Sequence, residues 1–135
     1  MRIYLAATRA ELEAVSSGGS LPASLRAHAV TRALREAWPD GDEEQWEYAG
    51  LMAAAADARN RVADSGLRRR LVLAADLPVD EVVSEGDPTS VRTTAELGWR
   101  QVSAILVDPV DDAADDDDLA WFATQEVADV LASWR

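Results

Sequence analysis

The spacing of apolar and polar residues changes period along this chain, and each change marks an element. Arg2 to Ala7 (RIYLAA) is a short apolar run with the β-favouring pair Ile3 and Tyr4, which predicts a strand over about residues 2–6. Thr8-Arg9-Ala10-Glu11 then has the form of a capping box, in which the hydroxyl accepts from the third helical amide and the glutamate reaches back. A helix starts there, with Leu12 and Val15 toward the core, and Ser16-Ser17-Gly18-Gly19 stops it. Pro22 offers at most one helical turn, and His28-Ala29-Val30 reads as extended.

From Val30 to Ala63 the period is helical with one interruption, and the remaining elements are organised around this stretch. Thr31 is a suitable N-cap for a short helix through Trp38, in which Leu34 and Trp38 lie four apart on one face. Pro39 ends it by pushing the residue before it out of the α region. Asp40-Gly41-Asp42 makes the turn, and Asp42 caps a second helix with Gln45 three residues on and Glu43 and Glu44 at the positive end of the dipole. That helix is expected over 42–65 with Gly66 as its stop. Tyr48, Leu51, Met52, Ala55, Ala56 and Val62 form its apolar stripe.

Leu71 to Ala75 is a continuous apolar run that suits a strand buried on both faces. Asp76-Leu77-Pro78 and Gly86-Asp87-Pro88 are turns, and Ser90 to Leu97 alternates as a half-exposed strand. Gly98 breaks it, Trp99 to Val102 reads as a helical turn, and Ser103 to Val107 as a buried strand. After seven aspartates between Asp108 and Asp118, AWFATQEVADVL repeats the pattern of the opening IYLAATRAELEAV: strand, Ala-Thr, then a helix with glutamate in its first turn. A strand is therefore expected over 119–123 and a helix carrying Val127, Val130 and Leu131. Together these elements predict an α+β fold: a mixed sheet of four or five short strands packed on one face by the long central helix and the C-terminal helix.

Composition narrows function more than fold. A length of 135 residues is expected to form a single domain, and 48% apolar residues is an ordinary globular fraction. Thirteen basic residues, all arginine, face 25 acids; the net charge of −12 repels nucleic acid and anionic lipid surfaces, so neither is an expected partner. With no cysteine there is no disulfide, thiolate nucleophile or cysteine-held metal. MRIYLAAT is too short and too soon interrupted for a signal peptide, and the expected location is the cytoplasm.

The opening MRIYLAAT, the central HAVTRALREAWPDGDEEQWEYAGL, the strand VLAADLP and the closing AWFATQEV occur in the same order as in a family of short uncharacterised actinobacterial proteins, which the chain resembles over nearly its whole length. The central block is the specific part. Arg32 stands where a proline commonly follows the threonine, and the segment from Asp76 to Trp99 is shorter than usual. The resemblance implies a cytoplasmic actinobacterial protein and carries over no catalytic residue.

Few residue patterns point to chemistry. His28, the only histidine, has no Gly-x-Ser-x-Gly elbow to serve, and a structural or exposed role fits it better than catalysis. The aspartate run lacks the alternating ligands, central glycine and terminal glutamate of a calcium loop, and reads as a solvated loop. Arg68-Arg69-Arg70 is expected to supply counter-charges to the acidic helix. No phosphate-binding glycine motif is present, and no cofactor is expected. What lacks a purely local reason is Arg35, Trp38 and Trp46 beside the acidic turn. With Asp42, Glu43 and Glu126 they form the expected interaction surface of a non-enzymatic acidic protein, whose partner is a second copy or a basic protein, in the special case one whose DNA site it imitates. The alternative is a small metal-assisted hydrolase using Asp42, Glu43, Glu44 and Glu126 near Arg35.

Overall fold

A computed structural model describes residues 1–65 and 68–134, and of residues 62–65 the backbone only. Strand β1 (Arg2–Ala6) leads into helix α1 (Arg9–Ser16), then β2 (Ser20–Leu21), β3 (Arg26–Ala29), α2 (Arg32–Ala37) and the long α3 (Glu43–Ser65). There follow β4 (Leu71–Asp76), β5 (Val82–Ser84), β6 (Ser90–Thr93), β7 (Leu97–Gly98), β8 (Val102–Val107), β9 (Ala120–Phe122) and α4 (Val127–Ser133), with single 3₁₀ turns before β5, β8 and α4.

Seven strands form one sheet in the order β5-β6-β3-β1-β4-β8-β9, while β2 and β7 pair separately. Every pairing between neighbours is antiparallel, so the expected mixed sheet of four or five strands is corrected to an antiparallel one of seven. Strands of three or four residues, such as β3, β5 and β9, are too short for a period of two to declare itself. The single strand expected over 90–97 is divided, β6 joining the large sheet and Leu97 pairing with Leu21 in the small one. Residues 20–21 are thus strand, and no helical turn forms at Pro22. Because β3 and β4 both run antiparallel to β1 between them, they are parallel to each other. A crossover is needed to join them, and α2 and α3 supply it.

Alternation along the strands divides the sheet into two faces. Ile3, Leu5, Leu71, Leu73, Ile105 and Val107 meet Leu12 and Val15 of α1 and Val130 and Trp134 beside α4. On the other face Tyr4, Val72, Ala74, Ala104 and Leu106 meet Ala54, Ala55 and Ala58 of α3. The long and terminal helices therefore cover opposite faces, where a shared face was expected. Leu71–Ala75, buried on both sides, belongs to both layers.

Helix α3 also turns by about one residue from its expected orientation. Gly50, Ala54, Ala55 and Ala58 face the sheet, whereas Ala56 is exposed and Tyr48 is 49% exposed. Large residues dominate an apolar stripe read from sequence, but the small ones let a helix lie close on a sheet, and here closeness decides. The caps form as expected: Thr8 and Glu11 make both bonds of the box, and Asp42 Oδ1 accepts from the Gln45 amide at 2.9 Å while Gln45 Oε1 accepts from the Asp42 amide at 3.0 Å. Gly66 lies outside the described residues. Among the described residues no helix is long and apolar enough to cross a membrane.

Candidate functional site

The corner between α2 and α3 gathers five of the six residues expected to act together. Thr31 caps α2 by accepting from the Leu34 amide at 3.1 Å, and α2 ends where Pro39 follows Trp38. The Trp38 carbonyl then accepts twice, from the Gly41 amide at 3.0 Å and from Trp46 Nε1 at 3.1 Å. This bond folds the first turn of α3 back on the end of α2. Gly41 makes the approach possible, since a β-carbon there would lie 2.6 Å from Trp46 Nε1 and 3.0 Å from Trp38 Cδ2.

Arg35 completes the corner. Its guanidinium lies 5.1 Å from the Trp46 ring centroid, and Nη2 is 3.2 Å from Glu43 Oε2. A ring face and a carboxylate are the two groups that stabilise a guanidinium most readily, one through its quadrupole and one through charge. Glu126 is not part of the corner: its Oε2 accepts from the Ala123 amide at 2.8 Å in the turn that opens α4. The alternative hydrolase constellation is therefore divided between the two elements. Among the described residues no three His, Cys, Asp or Glu side chains come together as metal ligands.

Beside the corner lies an open cleft of about 430 Å³ lined by Trp38, Glu44, Gln45, Tyr48 and Ala49. Trp38 is 40% exposed, so its sharing a helical face with buried Leu34 does not bring it into the core. The Tyr48 hydroxyl donates to Asp118 Oδ1 at 2.9 Å, and this bond holds the phenol pKa above its ordinary value, with Asp116 adding to the field. One residue earlier, Glu47 Oε2 accepts from the Tyr4 hydroxyl at 2.6 Å. Burial, and then this bond, push the Tyr4 pKa up to about 12.

The aspartate run is not a plain solvated loop. Asp108 is fully buried and accepts from Arg70 Nε at 2.9 Å, Arg70 Nη2 at 2.8 Å and the Arg70 amide at 2.8 Å. The same guanidinium donates to the carbonyls of Asp115 at 3.0 Å and Asp117 at 2.8 Å. Arg68 pairs with Asp112, Arg69 with Asp111 at 3.0 Å, and Arg59 with Asp115 at 2.9 Å. The three consecutive arginines are thus counter-charges to the aspartate loop, not to the acidic helix as expected.

His28 is buried and linked at both nitrogens: Nε2 lies 2.7 Å from Asp57 Oδ2 on α3, and Nδ1 lies 2.8 Å from Thr89 Oγ1 ahead of β6. An ionised Asp57 can only accept, so Nε2 carries a proton. Twenty-nine and 61 residues separate the partners from His28, and no local pattern signals either. Nearby, Arg26 lies 3.7 Å from Asp57, Arg92 pairs with Glu85 at 2.9 Å, and Asp87 accepts from the Ser90 hydroxyl at 2.8 Å. The line of carboxylate, imidazole and hydroxyl joins α3, β3 and the loop before β6, which is a structural task.

Fold and corner together define a small α+β protein, an antiparallel sheet between two helical layers with an acidic aromatic cleft at one end of its long helix. Residues 1–131 match the model of a family of unknown function, DUF6912, and the chain belongs to that family. No curated protein matches it, and no solved structure does.

Proposed function

We propose that this is a non-enzymatic cytoplasmic interaction protein that binds a basic protein partner through the α2–α3 corner and the cleft beside it. The observation that carries the reading is the meeting of exposed aromatic rings with carboxylates that have no arginine partner among the described residues. Asp40 and Glu44 come from the corner, and Asp116 and Asp118 from the end of the aspartate loop. A second copy is the poorer partner for this surface, because two molecules of charge −12 would bring like-charged clusters together.

Calorimetric titration of the full chain with an unstructured peptide of alternating arginine and serine tests this. Binding is expected at low salt and should weaken as salt screens the charges. The variant Asp40→Asn/Glu44→Gln should bind less tightly, whereas the charge-matched control Asp80→Asn/Asp129→Asn, away from the corner, should not. Equal weakening in both variants would reduce the effect to net charge and remove the proposal.

A further inference from the structure

We infer that the cleft between Trp38 and Tyr48 receives one arginine side chain of the basic partner, an inference that rests on the function just proposed. Trp38 and Tyr48, 40% and 49% exposed, both line this cleft, and Glu44 lines it with them and has no cationic partner among the described residues. The Tyr48 hydroxyl donates to Asp118, which ties this ring to the aspartate loop. That bond brings an acid of the second cluster to the cleft that Glu44 of the first one lines.

The adjacent corner carries the same recognition chemistry within the molecule. Arg35 lies over Trp46 and pairs with Glu43, so ring, carboxylate and guanidinium are combined one helical position from the cleft. In the cleft Trp38 and Tyr48 offer the rings and Glu44 the carboxylate, while the guanidinium is missing from the lining. Arginine fits this arrangement better than lysine. Its planar, weakly hydrated head stacks on aromatic faces and presents a fork of donors to a carboxylate, whereas an ammonium is a compact, strongly hydrated point charge.

Two capped peptides that differ only in having a single arginine or a single lysine within the same glycine- and serine-rich sequence test the inference by calorimetry, beside the arginine–serine peptide used above. Trp38→Ala is expected to weaken the single-arginine peptide about tenfold, the loss of one partly desolvated cation–π contact. Tyr48→Ala should weaken it several-fold, and the lysine peptide should bind wild type less tightly than the arginine one. Circular dichroism establishes that each variant is folded, and Glu44→Gln, which changes no packing, serves if an aromatic variant is not. If the arginine–serine peptide binds but neither aromatic substitution nor Glu44→Gln alters the single-arginine titration, the inference is overturned and the proposed function stands. If lysine binds as tightly as arginine, or if sedimentation shows a dimer that Tyr48→Ala dissociates, the occupant is a different one and the inference falls. Failure of the arginine–serine peptide to bind wild type at low salt removes the proposed function, and the inference with it.

Discussion

Replacing Arg70 with alanine should be among the most damaging single changes in this protein. The side chain is 1% exposed and makes four hydrogen bonds, two to fully buried Asp108 and two to the carbonyls of Asp115 and Asp117. Without it, Asp108 keeps only the Arg70 amide and becomes a buried carboxylate without a cation. Removing one partner of a buried ion pair costs about 3–5 kcal/mol, against a total stability of about 5–15 kcal/mol for an ordinary domain. The carbonyls contribute less, since the loop can open to water. With about 4 kcal/mol lost and a urea slope of about 2 kcal/mol/M, the unfolding midpoint should fall by about 2 M. Tryptophan fluorescence in urea reads it directly. Two variants make the reasoning exposed to failure. Arg68→Ala removes a pair with Asp112 whose side chains are 62% and 60% exposed, and should leave the midpoint in place. Arg70→Met/Asp108→Leu removes both buried charges and should recover a large part of the loss. An Arg70→Ala cost below about 1 kcal/mol, the scale of a surface pair, would refute the reading of Arg70 as the buried anchor of the aspartate loop.

Three further outcomes follow from other parts of the fold. Gly41→Ala drives a methyl into Trp46 Nε1 and Trp38, so folded protein should lose the Trp46–Trp38 bond and emit further to the red at a cost of about 1 kcal/mol; an unchanged spectrum would contradict the close approach. Tyr4 titrates near 12 when folded and near its ordinary value of about 10 when unfolded, so its contribution is complete below about pH 10 and lost as pH rises through about 12. Alkaline urea titrations should show a smaller loss in Tyr4→Phe than in wild type, Tyr48 accounting for the remainder, and identical profiles would rule out Tyr4 and its bond to Glu47 as a source. Ala58→Leu adds three carbons where α3 touches Val72 and Ala74, and should cost about 1–3 kcal/mol by thermal or urea unfolding, whereas Ala56→Leu on the exposed side should cost nothing measurable.

How legible this fold was depends on the distance over which each feature is decided. The capping box at Thr8 and Glu11, the Asp42–Gln45 cap and the break at Pro39 are settled within four residues, and each forms as its residues dictate. The strand at 120–122 was visible only through its likeness to the chain's opening, and it pairs with β8. What escaped is decided by partners far away. Leu21 becomes strand because Leu97 lies beside it, and β5 exists because β6 does. The rotation of α3 follows from the strand surface below it, where alanine and glycine fit and Tyr48 does not. His28 with Asp57 and Thr89, and Arg70 with Asp108, are side-chain meetings that no spacing along the chain encodes.

The same distinction sharpens what the charge means. Two acidic clusters are plain in the sequence, Asp40–Glu47 and Asp108–Asp118, and their residues alone do not tell which is free to attract a partner. Pairing decides it. Arg59, Arg68, Arg69 and Arg70 take up Asp108, Asp111, Asp112 and Asp115, so the front of the second cluster is neutralised within the molecule. Its far end is not: Asp118 is bound by a neutral hydroxyl, that of Tyr48, which brings it to the first cluster across 70 residues of sequence. From each cluster, then, a carboxylate without an arginine partner among the described residues reaches the cleft: Glu44 in its lining and Asp118 on Tyr48. Net charge alone would make the protein a weak, indiscriminate binder of cations. Two such carboxylates beside two exposed aromatic rings would give a guanidinium a particular place to sit, and the bond to Asp118 makes Tyr48, which the sequence presented as a core residue, the link between the two clusters.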